Sequence, residues 1–381
     1  MRTIFLIAVL SSAGALRAQS ADDMNLQFHG YAVQGFIYSN HNNWNTADTT
    51  DGSSAWSEAV LNITAQPASK LRVGMQARYH LLGEYGNNIS LDWALADYKF
   101  NEHTGIRVGK VKTPMGLLNE SRDIDPAQLW ALLPESVYPV ASRDSTLAHY
   151  GAVVYGSVAL GERLGRVEYT AYGGARVISS DDGYVRPFHD MGMTLPSGLS
   201  GQVYGATVRW NTPVRGLLAG ATLDSESLHA PIVAGPYTGT FSTPRFQPLY
   251  FFGRFERGKL MLAGEYNRIA VGPQMQFPMA PVQRFARDQR AYYGMASYKL
   301  AEKLTAGVYF SSSIDLQLPV SSGRFQKDWA VAGRYDFSPF LYLKLEQHFV
   351  DGTQISFSSS DNPGGLRPDM RMTFVRLGVS F

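Results

Sequence analysis

From Asn25 to the last residue, apolar and polar side chains alternate at a period of two, in segments of about ten to thirteen residues. In Leu71-Arg72-Val73-Gly74-Met75-Gln76-Ala77-Arg78-Tyr79-His80-Leu81 the odd positions are nearly all apolar and the even ones polar or small. Successive side chains of a strand point to opposite faces, so this segment offers one face to an apolar medium and the other to water. The same pattern sets Phe251 and Phe255 against Arg254 and Glu256, and Val331 and Tyr335 against Arg334 and Asp336. In Leu341 to Phe349 the wet side carries Lys344, Glu346 and His348. Sixteen such segments can be counted, which predicts an all-β chain.

The connections between segments alternate in length. Short turns are predicted at Pro67 to Lys70, Asn101 to Thr104, Gly161 to Arg163, Thr212 to Arg215, Arg257-Gly258, Ala301-Glu302 and Ser338-Pro339. Longer loops are predicted after Ser39 through Ser53 and around Gly83 to Asn88, Thr113 to Ala148, Val177 to Gly201, Ser227 to Phe246, Gly272 to Asp288, Leu318 to Lys327 and Gly352 to Pro368. Short turns at one end and long loops at the other are the build of a transmembrane antiparallel β-barrel, here of about 16 strands. Aromatic residues near segment ends, Tyr38, Trp56, Tyr79, Trp93, Tyr98, Phe100, Trp210, Tyr266, Trp329 and Tyr335, are expected to form its interfacial girdles.

Both ends of the chain point to the same compartment. Arg2, the apolar stretch Ile4 to Leu16 and the small residues of Ala18-Gln19-Ser20 read as a signal peptide over residues 1–20, cleaved after Ser20 following Sec export. Residues 21–381 are then a single barrel domain. They contain no run of about 18 apolar residues, which excludes a transmembrane helix. The final strand, Met370 to Phe381, alternates Thr373, Val375, Leu377, Val379 and terminal Phe381 against Phe374, Arg376 and Gly378. A terminal aromatic after alternating apolar residues resembles the signal by which outer-membrane proteins are handed to the barrel-assembly machinery. The expected location is the outer membrane of a Gram-negative cell, with lipid and lipopolysaccharide as surroundings.

Composition narrows the partners. Only 17% of residues are charged, and the formal charge of +2 falls to zero when Arg2 and Arg17 leave with the signal peptide, so there is no electrostatic case for nucleic acid. With no cysteine, disulfide scaffolds, thiolate zinc sites and thiol nucleophiles are excluded. The eight histidines are scattered singly, and no HExxH, GxSxG or phosphate-loop pattern occurs. No metal, cofactor or catalytic residue is predicted, and the chain reads as a non-enzyme.

A barrel of about sixteen strands encloses water unless something narrows it. The candidate is the third long loop, Thr113 to Ala148, taken to fold into the lumen as a constriction. Asp125-Pro126 is a good helix start and Pro134 a stop, which predicts a short helix over 126–133. Leu129, Trp130, Leu132 and Leu133 need an apolar surface to pack on. The loop also carries Glu120, Arg122, Asp123, Asp125, Glu135, Arg143 and Asp144. Two roles stay open for these charges: a transverse field across the passage, set against wall arginines, or pairing that fastens the loop.

The run Arg107-Val108-Gly109-Lys110-Val111-Lys112-Thr113-Pro114-Met115-Gly116, with Asn119, Arg122-Asp123 and Pro134-Glu135-Ser136-Val137-Tyr138, resembles the strand-into-loop signature of Gram-negative outer-membrane porins, nearest to the phosphate-selective O/P-like branch. The resemblance implies a sixteen-stranded, homotrimeric diffusion channel for small hydrophilic solutes, with an inward third loop. A phosphate-selective member would line its eyelet with an arginine ladder and a lysine cluster, a pattern not evident here.

The alternation assigns Arg72, Arg78, Arg107, Arg209, Arg254, Arg334, Lys344 and Arg376 to the lumen wall, with Glu58, Asp92, Glu168, Asp224, Glu256, Asp336 and Glu346 as the matching acids. So balanced a set announces no ion preference. Asp97 and Lys99 fall out of phase with Asp92, and Lys110 and Lys112 with Arg107. Besides a passive channel, two other functions fit a barrel: a surface adhesin, and a membrane-embedded lipase-like enzyme. Both are typically closed to ions.

Overall fold

The computed structural model describes residues 24–381, so the signal peptide lies outside the described residues. Sixteen strands run antiparallel around a closed barrel. The first five are β1 (Gln27–Ser39), β2 (Ser53–Ala68), β3 (Leu71–Leu82), β4 (Tyr85–Asn101) and β5 (Thr104–Lys112). After the long third connection come β6 (Ala148–Ala159), β7 (Arg166–Ile178), β8 (Leu199–Asn211) and β9 (Leu217–Ala234). Strand β10 is in two pieces, Tyr237–Phe246 and Leu249–Arg257, both paired with β9 and interrupted at Gln247-Pro248. The remainder are β11 (Leu260–Val271), β12 (Arg287–Ala301), β13 (Leu304–Asp315), β14 (Phe325–Asp336), β15 (Leu341–Gly352) and β16 (Asp369–Ser380). Strand β1 pairs with β16 from Tyr31 opposite Ser380 to Ser39 opposite Met372, which closes the ring. Closure matters because an unpaired strand edge in hydrocarbon would leave a row of backbone groups without partners.

The polarity of the wall is that of a soluble protein turned inside out. On β14 to β16 the outward residues Val331 and Leu345 are each 53% exposed, while the inward Lys344 and Glu346 are 0% and 1%. Large apolar side chains cover the outer surface, with Phe28, Tyr98, Phe100, Trp210, Tyr298 and Tyr335 toward the short turns and Tyr38, Tyr204, Phe251, Tyr292, Trp329 and Phe349 toward the long loops.

Several expectations are corrected. Gly83 to Asn88 is not a loop: β3 and β4 meet at a two-residue turn, Gly83-Glu84, and the phase is lost there because the register skips at Asn87, whose φ is +61°. Ser227 to Phe246 is not a loop either. Here β9 and β10 rise as a hairpin around Gly235-Pro236, and its inner residues Leu228, Ala230, Ile232 and Phe241 bury against Val185, Phe188 and Leu195 of the β7–β8 connection. Trp56 and Trp93 are buried on the inner face and do not belong to the girdles. For Trp93 the cause is a bulge. Gln76 faces Trp93 and Ala77 faces Leu91, leaving Asp92 as the extra residue, so Asp92 and Trp93 both turn inward and the rest of β4 changes phase. That slip explains why Asp97 is out of step with Asp92 yet bonds the inward Arg107.

Candidate functional site

The connection between β5 and β6 is buried or half-buried along its length, with Ile124 and Ala127 as its exposed residues. The helix expected over 126–133 is absent. A single 3-10 turn, Asp125–Ala127, stands in its place, and Asp125 begins that turn without capping it. The reason is competition for the backbone. Arg334 bonds the carbonyls of Pro126 and Gln128, Lys344 those of Asp125 and Trp130, and Arg376 that of Ala131. The carboxylate of Glu346 accepts from the amides of Ala131 and Leu132. Wall side chains thus take the hydrogen bonds a helix would have made with itself. A short helix that the sequence did not announce, Arg143–Leu147, leads into β6.

Strands β3 to β5, β9 and β11 to β14 all bond or pack on this segment. Near its start, Gly116 and Leu117 donate to Thr222 of β9 and Glu265 of β11, and Tyr138 donates to the same Glu265 at 2.6 Å. Midway, Trp130, Val137 and Tyr138 form an apolar core with Tyr293, Met295, Tyr309, Ala330 and Ala332 on the inner face of β12 to β14. On the far side Asp123 accepts from Gln76 at 3.0 Å, from Trp93 at 3.2 Å and from Lys112 at 2.7 Å.

The anticipated charges are in contact with one another. Asp125 bonds Lys344 (3.1 Å), Arg376 (3.0 Å) and Tyr342 (2.6 Å). Arg376 and Arg78 each bond Glu58 at 2.7 Å. Arg78 also meets Asp144 at 2.8 Å, and Arg143 meets Asp144 at 2.9 Å and Asp92 through two bonds of 2.8 and 2.9 Å. Glu120 joins Arg107 (3.3 Å) and Arg209 (3.0 Å). Desolvated charges must pair, and here the acids of the segment pair mainly with wall cations. Of the two roles left open, direct contact favours fastening.

Two charged residues of the segment have no ion partner. Arg122 donates to Thr146 and to the carbonyl of Pro139. Glu135 accepts from the amide of Val140 at 2.8 Å and from Ser356 of the β15–β16 connection at 2.7 Å. Burial pushes its carboxyl up to about 7, against the opposing pull of those two hydrogen bonds. A folded-state pKa above the unfolded one means that stability from this group is complete below roughly pH 4.3 and is lost as pH rises through about 7. The unfolding temperature of Glu135→Gln should therefore gain on that of the parent between about pH 5 and pH 8. A difference that stays constant with pH would contradict the assignment.

The remaining wall residues lie away from the segment. Arg72 is exposed opposite Asp97 in register, and Arg254 and Glu256 are 3.9 Å apart at an exposed strand end. Glu168 accepts from Asn211, Asp336 pairs with Arg334 at 2.8 Å, and Asp224 is buried with the amide of Ser225 as its bond. Sequence reasoning missed Gln76, Lys112, Arg176 and Glu265. Arg176, which bonds Glu226 at 2.9 Å and the carbonyls of Ser145 and Ala148, sits at the end of a glycine-rich, weakly alternating stretch. Glu265 was visible as a lone acid in the alternation of Leu260–Val271.

Cavities flank the segment. One of about 270 Å³ lies toward the long loops, bordered by Trp56, Arg78, Asp144, Arg376 and residues Asp181 to Gly183. One of about 330 Å³ opens toward the Asn101–Thr104 turn, bordered by Arg107, Glu120, Tyr155 and Arg209.

No family model and no curated protein matches the sequence. Solved structures do match in fold. OmpF of Salmonella typhi, solved in complex with daunomycin, aligns at 15% identity over 94% of this chain and 98% of its own, with a TM-score of 0.58. The outer-membrane channel DcaP of Acinetobacter baumannii aligns at 10% identity over 93% and 97%, with a TM-score of 0.56. An anion-selective porin from Comamonas acidovorans aligns at 11% identity over 93% and 99%, with a TM-score of 0.54. At such identities the likeness speaks to fold, and the fold of this chain is the closed sixteen-stranded barrel of outer-membrane porins.

Proposed function

We propose that the chain is an outer-membrane porin: a water-filled passive channel for small hydrophilic solutes, assembled as a homotrimer and narrowed by Thr113 to Ala148 folded into its lumen. The observation that carries the reading is the set of partners of that segment. Trp130 packs on Tyr309 of β13, and Arg334 of β14 bonds Pro126. The segment itself springs from β5 and β6, eight strands away around a ring of sixteen. Contact with both walls supports a path through the interior. The polar inner face and the cavities on both sides of the segment support an aqueous passage.

The charges bear on selectivity. Cations at the narrow part are held by carboxylates or carbonyls, so the proposal does not extend to the phosphate-selective branch. A passage whose charges are mutually neutralised sorts solutes by size before sign. In a liposome-swelling assay, small neutral sugars should enter at rates that fall steeply with molecular size. Equal exclusion of every sugar would count against the channel and favour the adhesin or lipase-like readings.

A further inference from the structure

The connection between β7 and β8, residues 179–198, is a strap held by apolar contacts on one side and by polar ones on the other. The apolar side is the cluster of Val185, Phe188 and Leu195 with the β9–β10 hairpin, where Phe188 and Phe241 meet edge to face at 4.9 Å, and Met193 and Thr194 pair with Ala234 and Val233 of β9. The short helix Arg186–Asp190 serves both sides, with Phe188 in the cluster and Arg186 and Asp190 on the polar side. Arg186 bonds Asp190 at 2.9 Å within the strap and then reaches two other connections: Asp361 at 2.7 Å and Ser360 at 3.1 Å between β15 and β16, and Glu84 at 3.4 Å between β3 and β4. Asp190 in turn accepts from Ser358 at 2.7 Å and Ser360 at 2.9 Å.

The topology gives these contacts their meaning. The β7–β8 and β15–β16 connections are eight strands apart in a closed ring of sixteen, on opposite sides of the opening. A bond between them crosses the mouth. Beneath it, Asp181, Asp182 and Gly183 border the same cavity as Arg78 and Arg376, so the strap roofs the approach to the constriction. The pairs of Arg186 with Asp361 and Asp190 are mostly shielded from water, while Glu84 is largely exposed, and an exposed pair is individually weak and screened by salt. Gly192, at φ +73° just past the helix, turns the chain into the Met193–Thr194 pairing with β9.

We propose that residues 179–198 are a gate over the long-loop mouth and that Arg186 is its latch. The proposal rests on the channel reading for its consequence, and its test separates the two. The chain has no cysteine, so Ser90→Cys puts a single thiol on the wall of the roofed cavity. With the folded protein and a bulky, membrane-impermeant maleimide, labelling at position 90 should be slow in an otherwise native chain. Adding Arg186→Gln should speed it by about tenfold, as the gate's open population grows. Equal rates would overturn the proposal.

A second pair of substitutions, Asp190→Cys with Ser358→Cys, should form a disulfide that lowers single-channel current until it is reduced. A staple that forms and leaves the current unchanged would also overturn it. Labelling that responds to Arg186→Gln in a protein that never conducts would uphold the gate and remove the channel.

Discussion

Trp130→Ala is expected to widen the passage while leaving the barrel closed. The indole is buried against Tyr309 at 5.0 Å, edge to face, and belongs to the core that joins the segment to β12–β14. The wall has made room for it: a Cβ at Gly307 would lie 2.9 Å from the indole and 2.7 Å from Leu129. Truncating a buried tryptophan costs about 3–5 kcal/mol. That loss falls on the docking of the segment and not on the ladders between strands, which close the barrel without it. Single-channel conductance should rise, and protease should cut within Thr113 to Ala148, while the temperature at which the barrel loses its folded electrophoretic mobility stays unchanged. A variant that conducts as before and resists protease would mean that Trp130 does not hold the segment in place.

The second large effect is expected from Asp125→Ala. Burial alone would raise the Asp125 carboxyl, but Arg376, Lys344 and the hydroxyl of Tyr342 outweigh it and hold the group below the ordinary carboxylate range. Removing the carboxylate leaves the buried Lys344 without an acid partner and Arg376 with Glu58 alone. Breaking a buried ion pair from one side costs about 3–5 kcal/mol. Two consequences follow: the middle of the segment loosens, and the narrow part acquires positive charge. Under a salt gradient the reversal potential should move toward anions. An unchanged reversal potential would place Asp125 away from the ion path. Asp125→Asn is the milder companion, since its side-chain oxygen can still accept from Tyr342.

Strand number and closure were legible because lipid and water impose opposite demands on alternate positions. Lys344, Glu346 and Arg376 could be assigned inward on that ground alone. Legibility failed where the environment is not simply two-sided. Ala291, Tyr293, Met295, Ala330 and Ala332 face inward yet are apolar, because they meet Trp130 and Tyr138 in place of water. Trp93 turned inward because one extra residue, Asp92, shifts the phase, and no local pattern marks a bulge. The missing helix over 126–133 is a nonlocal effect: its caps and apolar spacing are sound, but Arg334, Lys344 and Glu346, more than 200 residues further on, claim its backbone. The ion-pair partners were likewise present in the sequence as residues but not as pairs. Pairing depends on which strands the segment meets, and its apolar contacts with β12 to β14 are part of that.

If the chain is a porin, water passes through this barrel beside the segment. Single-channel recording of the refolded, heat-modifiable protein in a planar bilayer tests it most directly. Discrete open steps with weak ion preference are expected, because the charges of the segment and the wall neutralise one another. Correctly folded protein that inserts and yields no steps, with the strap latched or with Arg186→Gln, would contradict the porin reading.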